Sequence, residues 1–292
     1  MRVTQQMMHQ NSVRHMQQNL GRFEKTNMQA ASGKMLQKPS DDPQGVAKAM
    51  SLKSALSASQ QFERNVGEAK LWLDETDRSV QAMINVTQRV RELGVQGANG
   101  SLSPEDRQVI ASEVEVLSEQ LRQFANSKVD GHYLFNGANT KQQPFTAPAA
   151  GEAAFFGQAK TVKLGEGLQL EVGVMPDALI GKQDDEGNLF RVVEQLAQNL
   201  KTGSEVNLAG IDRAMERLLT AAAENGARQN RVEATENRLL DAKLSLGSAL
   251  SSIEDVDYAE ILIKLKSEES IYQASLSSSA KMLQPSLMDF LR

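Results

Sequence analysis

The sequence predicts a mainly α-helical protein: a long antiparallel helical rod or coiled-coil bundle with paired terminal helices and a small β-rich inserted outer domain. Two long stretches repeat apolar residues every three or four positions, which is typical of helices that bury one narrow stripe. A shorter middle stretch changes to a period of two, as strands do. Apolar residues make up 40% of the chain and aromatic residues 4%, which favours thin helical layers over a thick globular core.

The first long helix is predicted to run from Pro43 to about Gln96. Every step of its apolar stripe is three or four residues, and at 1.5 Å per residue the helix would be about 80 Å long. Ser103 and Pro104 then start another helix, with serine as the N-cap and proline at the first helical position. We expect this second helix to end near Asp130–Gly131. The short turn between the two helices predicts an antiparallel hairpin.

The pattern changes between Tyr133 and Ile180. The stretch GHYLFNGANTKQQPF holds an Asn-Gly pair, which is typical of a strand followed by a turn. Further on, apolar residues alternate with polar residues or glycine, at Leu168, Leu170, Val172 and Val174. This part of the chain is therefore predicted to be the β-rich insertion.

Helical periodicity returns after the insertion, with apolar residues at Phe190, Val193, Leu196 and Leu200. A second long stripe then runs from Leu208 to Ile253 without a break in the three-four alternation. Polar side chains nevertheless occupy several positions of this stripe, at Asn225, Gln229, Glu236 and Lys243. Two interpretations remain open: the polar residues fix the register and the partner of the helix, or water enters a looser bundle.

The two ends of the chain have similar apolar stripes and opposite net charges. Residues 1–35 carry five Lys or Arg and one Glu, whereas residues 254–292 carry four Lys or Arg and seven Asp or Glu. Both ends have a narrow apolar stripe, so their opposite charge favours pairing the two helices side by side and antiparallel. Because such narrow stripes bury little area, we expect the ends to be frayed or disordered in a free monomer and to become ordered on assembly.

Asp41 and Asp42 are adjacent carboxylates in the proline-rich break between the first two helices, where they could form an acid–base pair or a metal site. A structural role is favoured, because Asp42 directly precedes Pro43 and is well placed to cap the long helix. Pro39 disfavours a helical conformation at Lys38, so the first helix should stop nearby. The break is therefore interpreted as a joint between helices.

The remaining sequence features indicate no catalytic centre, cofactor site or metal site. The three histidines lack the spacing of a metal-binding motif, and there is no glycine-rich phosphate loop or nucleophile elbow. The chain has no cysteine, which excludes disulfides and thiolate catalysis. A net charge of −5 argues against a nucleic-acid partner, and no apolar run approaches the roughly 20 residues of a membrane span. The N-terminal segment lacks the apolar core of a secretory signal.

Several long motifs together resemble the bacterial flagellin family. The family's N-terminal signature is similar to QAASGKMLQKPSDDPQGVAKAM, and its helices and the following hairpin resemble NVGEAKLWLDETDRSVQ, RELGVQGANGSLSPEDRQVIASEV and ANSKVDGHYLFNGA. The similarity resumes at ENGARQNRVEATENRL and continues through SIEDVDYAEILIKLKSEESIYQASLSSSAKMLQPSLMDFL. Within the family, two segments look more like the proteins at the junction between hook and filament, namely KPSDDP and the ending SLMDFL. The start, MRVTQQMM, lacks the early Ile-Asn pattern that is typical of flagellins.

The resemblance implies three domains. A terminal helix pair facing an axial channel would comprise residues 1–42 and 251–292, a helical rod domain residues 43–132 and 186–250, and a β-rich outer domain residues 133–185. It also implies a structural rather than an enzymatic function, as an adaptor that joins the hook-associated junction layer to the flagellin filament. A short flagellin that forms the filament itself is the alternative.

The partners implied by the resemblance are flagellin, the first hook-associated protein on the hook side, copies of the chain itself in a ring, and an export chaperone at the C-terminal helix. The chain would leave the cell through the flagellar type III export channel without a cleaved signal peptide and would assemble outside. The side chains expected in the assembly interface are Val13, Met16, Leu20, Phe23, Leu262, Leu265, Tyr272, Leu276, Leu283 and Phe290. Those expected to shape the joint between the inner and rod domains are Gly33, Pro39, Asp42 and Pro43.

Overall fold

The computed structural model describes residues 2–99, 102–145, 158–182 and 185–283, without the side chains of residues 2–6, 8, 9 and 281–283. The predicted fold class is confirmed, since these residues form seven helices and two small antiparallel sheets. The helices are α1 (Arg2–Ser32), α2 (Pro43–Gly97), α3 (Pro104–Ala125), α4 (Pro176–Ile180), α5 (Leu189–Thr202), α6 (Leu208–Glu254) and α7 (Tyr258–Leu283). The strands are β1 (Lys128–Val129), β2 (His132–Tyr133), β3 (Thr161–Gly165) and β4 (Leu168–Glu171).

One compact unit of the chain comprises Met1–Ala58 and Ala242–Arg292, which we call the terminal unit. It contains α1, α7, the first turns of α2 and the last turns of α6. Helices α1 and α7 pack against each other, as expected for paired terminal helices. Among the described side chains of this unit, few are buried, for example Ala49 and Ile261. The terminal unit therefore has a thin core.

The other compact unit, Ser59–Asp241, which we call the central unit, contains the main hydrophobic core. Helix α3 packs against α5, and the remaining parts of α2 and α6 contribute further buried residues. The fully buried large side chains come from each of these helices and include Leu73, Leu121, Leu200 and Ile211. Each such side chain contributes about 1.5–3 kcal/mol when it leaves water, so this core is the principal source of stability of the central unit.

Three of the four polar side chains in the stripe of α6, those of Asn225, Gln229 and Glu236, bind α2. The fully buried Asn225 donates from Nδ2 to the carbonyl oxygen of Leu73 at 3.0 Å, and Gln229 Nε2 donates to Asp74 Oδ1 at 3.1 Å. Further along, Glu236 pairs with Lys70 at 3.0 Å. Near the start of α6, Asp212 pairs with Arg91 of α2 at 2.6 Å, whereas Glu236 pairs with Lys70, so the two helices are antiparallel here. These specific contacts favour the interpretation that the polar residues fix the register of the pair.

Helix α3 ends earlier than the sequence pattern indicates. The prediction of an end near Asp130–Gly131 was wrong, because α3 stops at Ala125 and the next residues form the antiparallel hairpin β1–β2. Asp130 and Gly131 both have positive φ, 48° and 78°, which is the conformation of a two-residue hairpin turn with an Asp-Gly sequence. Two successive residues in this conformation cannot continue a right-handed helix.

The insertion is β-rich only over a short distance. Strands β3 and β4 pair antiparallel, and Val162, Leu164 and Leu170 are buried on one side of this hairpin. Val172 and Val174 are also buried, but they follow the end of β4 and precede the short helix α4. The alternating pattern therefore corresponds to a strand at Leu168 and Leu170, whereas Val172 and Val174 are buried outside any strand.

Replacing Ser103 with alanine should destabilise the central unit by about 1 kcal/mol. Ser103 Oγ accepts a hydrogen bond from the backbone N–H of Asp106 at 3.1 Å, which satisfies one of the free amides at the start of α3. Urea unfolding followed by circular dichroism measures the change. The control is Ser112→Ala, at an exposed site inside the same helix, which should shift stability by less than about 0.5 kcal/mol. Equal effects of the two substitutions would contradict the capping role.

Candidate assembly interface

The terminal helices form an antiparallel pair through contacts along their length. The ring of Phe23 stacks on the ring of Tyr272 with the centroids 6.1 Å apart and the planes 5° from parallel. Toward the other end of the pair, Ser12 Oγ and Ser279 Oγ share a hydrogen bond of 3.0 Å. The sequence numbers of these partners run in opposite directions, which defines the antiparallel orientation. Much of the remaining surface of both helices is exposed.

The predicted interface residues of α1 all lie at half-buried positions, which are those of Val13, Met16, Leu20 and Phe23. On α7 the predicted residues divide into two groups. Leu265 and Tyr272 are half-buried, whereas Leu262 and Leu276 are 55% and 41% exposed. Leu283 is the last residue of α7 and its side chain is not described, and Phe290 lies outside the described residues.

A residue that the sequence pattern missed, Ile261, is buried in the terminal unit at 7% exposure. The sequence could not distinguish it from Leu262, because both residues begin a run with the same three-four spacing. One run continues through Leu265, Glu268 and Tyr272, and the other through Leu265, Glu269 and Tyr272. In the structure, Ile261 is buried within the terminal unit, whereas the side chain of Leu262 is exposed to solvent. An apolar surface thus remains exposed on α7 after the helix pair has formed.

The joint between α1 and α2 is connected to the chain segment between α6 and α7 by two backbone hydrogen bonds. Met35 donates from its amide to the carbonyl of Glu254 at 2.7 Å, and Val256 donates to the carbonyl of Gly33 at 3.1 Å. Gly33 ends α1 with a φ of +70°, and a Cβ at this position would lie 2.5 Å from the Tyr258 hydroxyl oxygen. The left-handed backbone conformation favours glycine at this position, and a larger side chain would also displace the exposed ring of Tyr258.

Glu254 is the charged centre of this joint, and the sequence prediction missed it. It is 6% exposed, and its carboxylate pairs with Lys34 Nζ at 2.6 Å and Lys53 Nζ at 2.8 Å. The hydrogen bonds from the two lysines lower the pKa of Glu254, and its carboxylate raises the pKa of Lys34. No local pattern marks Glu254, because its two partners lie far away in the sequence. The opposite net charges of the two chain ends are the only sequence feature that anticipates such pairing.

Asp41 and Asp42 have separate partners and do not face each other as an acid–base pair. Asp41 Oδ1 accepts a hydrogen bond from Lys25 Nζ at 2.8 Å, and this ion pair lowers the pKa of Asp41. Asp42 Oδ1 accepts a hydrogen bond from the amide of Gln44 at 3.1 Å, directly after Pro43 begins α2. Pro39 is exposed in the turn between the helices. In this arrangement, both carboxylates accept hydrogen bonds from backbone amides of the joint.

Stability of the terminal unit should fall in acid more steeply for the wild type than for Glu254→Gln. The folded-state pKa of Glu254 lies below its ordinary value of 4.5, so its stabilising effect is fully present above pH 4.5 and is lost as the pH falls through the folded-state value. Urea unfolding between about pH 7 and pH 3 should show a difference of about 1 kcal/mol at pH 7 that vanishes in acid. Glu260→Gln, at an exposed position without an ion pair to any described residue, is the control and should follow the wild-type curve. Parallel curves for wild type and Glu254→Gln would refute this account of the joint.

The described residues offer no metal-binding cluster, since no three His, Asp or Glu side chains in the ranges given above converge suitably. Among the helices that the structure describes, none is both long and apolar enough to cross a membrane. The candidate site considered below comprises the α1–α7 pair, with its exposed apolar side chains, and the joint beside it.

Both ends of the chain match the models of a known protein family. Residues 3–140 match the family model of the bacterial flagellin N-terminal helical region, and residues 208–291 match that of the bacterial flagellin C-terminal helical region. Flagellar hook-associated protein 3 of Salmonella typhimurium is 27% identical, over 100% of this chain and 100% of that protein. Flagellar filament core protein flaB2 of Brachyspira hyodysenteriae is also 27% identical, over 86% of this chain and 85% of that protein.

The fold is shared with solved structures. A crystal structure of flagellar hook associated protein-3 from Legionella pneumophila superimposes with a TM-score of 0.62 and 18% sequence identity, over 69% of this chain and 98% of that chain. The two family models together match more than half of the chain, and they match in the order in which the family has them. The chain therefore belongs to the bacterial flagellin family.

Proposed function

We propose that this protein is the adaptor that joins the hook-associated junction layer to the flagellin filament. As a member of a family of structural flagellar proteins, the chain is a component of the flagellum. The observation that carries the finer assignment is the alignment with flagellar hook-associated protein 3 of Salmonella typhimurium, which covers 100% of both chains. The alignment with the filament core protein of Brachyspira hyodysenteriae covers 86% of this chain at the same identity.

Assembly is proposed to use the terminal helices. Ordered apolar side chains that face solvent in a single chain favour burial against other protein surfaces, and α7 presents Leu262 and Leu276 in this way. The half-buried residues of the pair, from Val13 to Phe23 on α1 and Leu265 and Tyr272 on α7, would orient that surface. Leu283 and Phe290 are proposed to extend it, since they continue the same three-four spacing in the sequence.

We propose one role for each of the three domains expected from the sequence. Residues 1–42 and 251–292 would form the axial assembly domain, residues 43–132 and 186–250 the rod domain, and residues 133–185 the outer domain. Gly33, Pro39, Asp42 and Pro43 would set the angle at which the chain passes from the first of these domains to the second. The hydrogen bonds around Gly33 and Asp42 support such a role because they constrain this part of the backbone.

The proposed partners are flagellin on one side, the first hook-associated protein on the other, and further copies of the chain in a ring. An export chaperone is proposed to bind the C-terminal helix before assembly, when its apolar side chains have no subunit to contact. Export is proposed to proceed through the flagellar type III channel without cleavage of a signal peptide, which places the assembled protein outside the cell.

Self-assembly of the purified chain separates an adaptor from the alternative, a short flagellin. An adaptor needs two different neighbours along the axis, so the pure protein should stay as monomers or small rings at concentrations where flagellin polymerises. Electron microscopy and sedimentation measure this directly, with a flagellin sample under the same conditions as the positive control. Long filaments of the pure chain would contradict the proposal and would establish the filament-forming alternative.

A further inference from the structure

Helices α3 and α5 cover only part of the long α2–α6 pair in the central unit. Arg89 of α2 pairs with Glu113 of α3 at 2.9 Å, and a short turn connects the two helices, so they run antiparallel. The end of α3 at Ala125 lies twelve residues after Glu113, which is level with about Asp77, twelve residues before Arg89. The part of α2 that precedes this level therefore lies beyond the reach of α3.

Helix α5 begins at nearly the same level. It runs antiparallel to α3, since Lys201 pairs with Glu115 at 2.6 Å and Glu194 pairs with Arg122 at 3.5 Å. Its first residue, Leu189, precedes Glu194 by five residues and is therefore level with the segment just after α3. Neither α3 nor α5 thus covers the part of α2 and α6 in which the polar contacts between these two helices lie.

The seam of the α2–α6 pair does not by itself determine one register. Both helices carry stripes with an unbroken three-four spacing, so a slip of seven residues, about 10 Å, would again bring stripe against stripe. Three polar contacts oppose such a slip, those of Asn225, Gln229 and Glu236 described above. The ion pair of Glu236 with Lys70 is exposed and so contributes little. An element that contacts both helices at fixed positions would exclude the alternative registers.

The β3–β4 hairpin, together with Lys160 directly before it, contacts α2 at this level, and we call it the clamp. Asn65 of α2 donates from Nδ2 to the carbonyl oxygen of Lys163 at 2.7 Å. Lys160 Nζ pairs with Glu68 Oε1 at 2.9 Å. The same ammonium group lies 3.8 Å from the ring centre of the buried Trp72, which is a cation–π contact. One lysine therefore binds the clamp to α2 through both its charge and the tryptophan ring.

The clamp contacts α6 through its second strand and its turn. Residues 169–171 line one cleft with residues of α6 between Ala227 and Arg231. Near the turn, a Cβ added to Gly165 would lie 4.0 Å from Nη2 of Arg238. Apolar side chains of the hairpin join the main core, at Val162, Leu164 and Leu170. The clamp therefore bridges the two long helices at the level that α3 and α5 do not reach.

We infer that the clamp fixes the register of α2 against α6 in the part of the central unit that α3 and α5 do not cover. A slip of either helix would break the contacts of the clamp with that helix, because they involve individual side chains rather than a repeating stripe. Part of the proposed outer domain thus also serves the proposed rod, since two helices that cannot slip keep their length when the flagellum is under load. An adaptor and a filament-forming flagellin need this rigidity equally, so the role of the clamp is independent of the choice between them.

Amide hydrogen exchange of the purified full-length chain, followed by mass spectrometry, is the first test. Lys160→Ala removes the ion pair and the cation–π contact with α2. Exchange should become about tenfold faster in residues 65–73 of α2 and 232–239 of α6, because these segments open locally once the clamp is loosened. It should stay unchanged in residues 80–93 and 211–221, at the level of α3 and α5.

The matched control lies in the same hairpin. Lys163 is exposed and forms no ion pair with any described residue, so Lys163→Ala should reproduce the wild-type exchange pattern. Equal acceleration over the whole central unit would overturn the inference, because the hairpin would then be an ordinary part of one core. Wild-type exchange in the double variant Lys160→Ala/Asn65→Ala would overturn it as well, since the clamp would then not hold α2.

Spin labels measure the register itself, and the chain has no cysteine that would interfere with labelling. One pair of labels is attached at Leu71→Cys and Leu240→Cys, which are exposed sites at the level of the clamp. The control pair is attached at Val95→Cys and Leu219→Cys, exposed sites at the level of α3 and α5. In the double variant, pulsed electron paramagnetic resonance should show a second distance for the first pair, displaced by at least one helical turn, about 5 Å. The control pair should keep its distance. An unchanged single distance for the first pair would overturn the claim that the clamp sets the register.

Discussion

Replacing Leu276 with aspartate is expected to abolish motility while leaving the purified chain folded. Leu276 is 41% exposed in the single chain, so a carboxylate at this position remains hydrated and should change the melting temperature little. In an assembled interface the same carboxylate would be buried without a partner. An uncompensated buried charge costs about 3–5 kcal/mol, which weakens each contact by a factor of about 100 or more. Swimming in soft agar and the melting temperature of the pure chain are the two measurements.

The control for this substitution lies on the same helix. Ser267 is exposed and precedes Leu276 by nine residues, which is about two and a half turns, so it faces the opposite side of α7. Ser267→Asp adds the same charge and should preserve motility. Normal motility of Leu276→Asp would contradict the role of this face in assembly. A large fall in melting temperature would instead show that Leu276 supports the fold of the chain itself.

Replacing Leu218 with alanine should destabilise the central unit by several times more than removal of the Ser103 cap. Leu218 is fully buried in the main core, and removing a buried leucine side chain costs about 2–5 kcal/mol through lost burial and the cavity left behind. The neighbouring Leu219 is 52% exposed on the same helix, so Leu219→Ala should cost less than about 0.5 kcal/mol. Urea unfolding of both variants measures the difference. Equal losses would mean that α6 does not bury the face that the structure assigns to it.

The long helices could be predicted from the sequence because their signals are local. A strict three-four spacing together with Pro43 and Gly97 at the two ends defines α2, and Ser103 with Pro104 defines the start of α3. The end of α3 was predicted wrongly, because the apolar spacing does not reveal that Asp130 and Gly131 form a hairpin turn. Turn chemistry overrides periodicity wherever two residues must adopt positive φ.

The candidate interface could be predicted only in outline. Pairing of the terminal helices follows from their matching stripes and opposite charges, but the choice between Ile261 and Leu262 as the buried residue depends on the rotation of α7 against its own unit. The contacts of the joint are even harder to predict from the sequence. Glu254 meets Lys34 and Lys53 across more than 200 residues of sequence, and such a contact depends on the folded backbone rather than on any local pattern.

The most direct test of the account is deletion of the gene in its host, followed by measurement of flagellin in the culture medium. An adaptor between the junction layer and the filament should leave intact hooks without filaments when it is lost, and flagellin monomers should accumulate outside the cell because export continues without a site for polymerisation. Motility should return when the wild-type gene is restored. Loss of the filament protein itself, with no unpolymerised flagellin in the medium, would contradict the account and identify this chain as the flagellin.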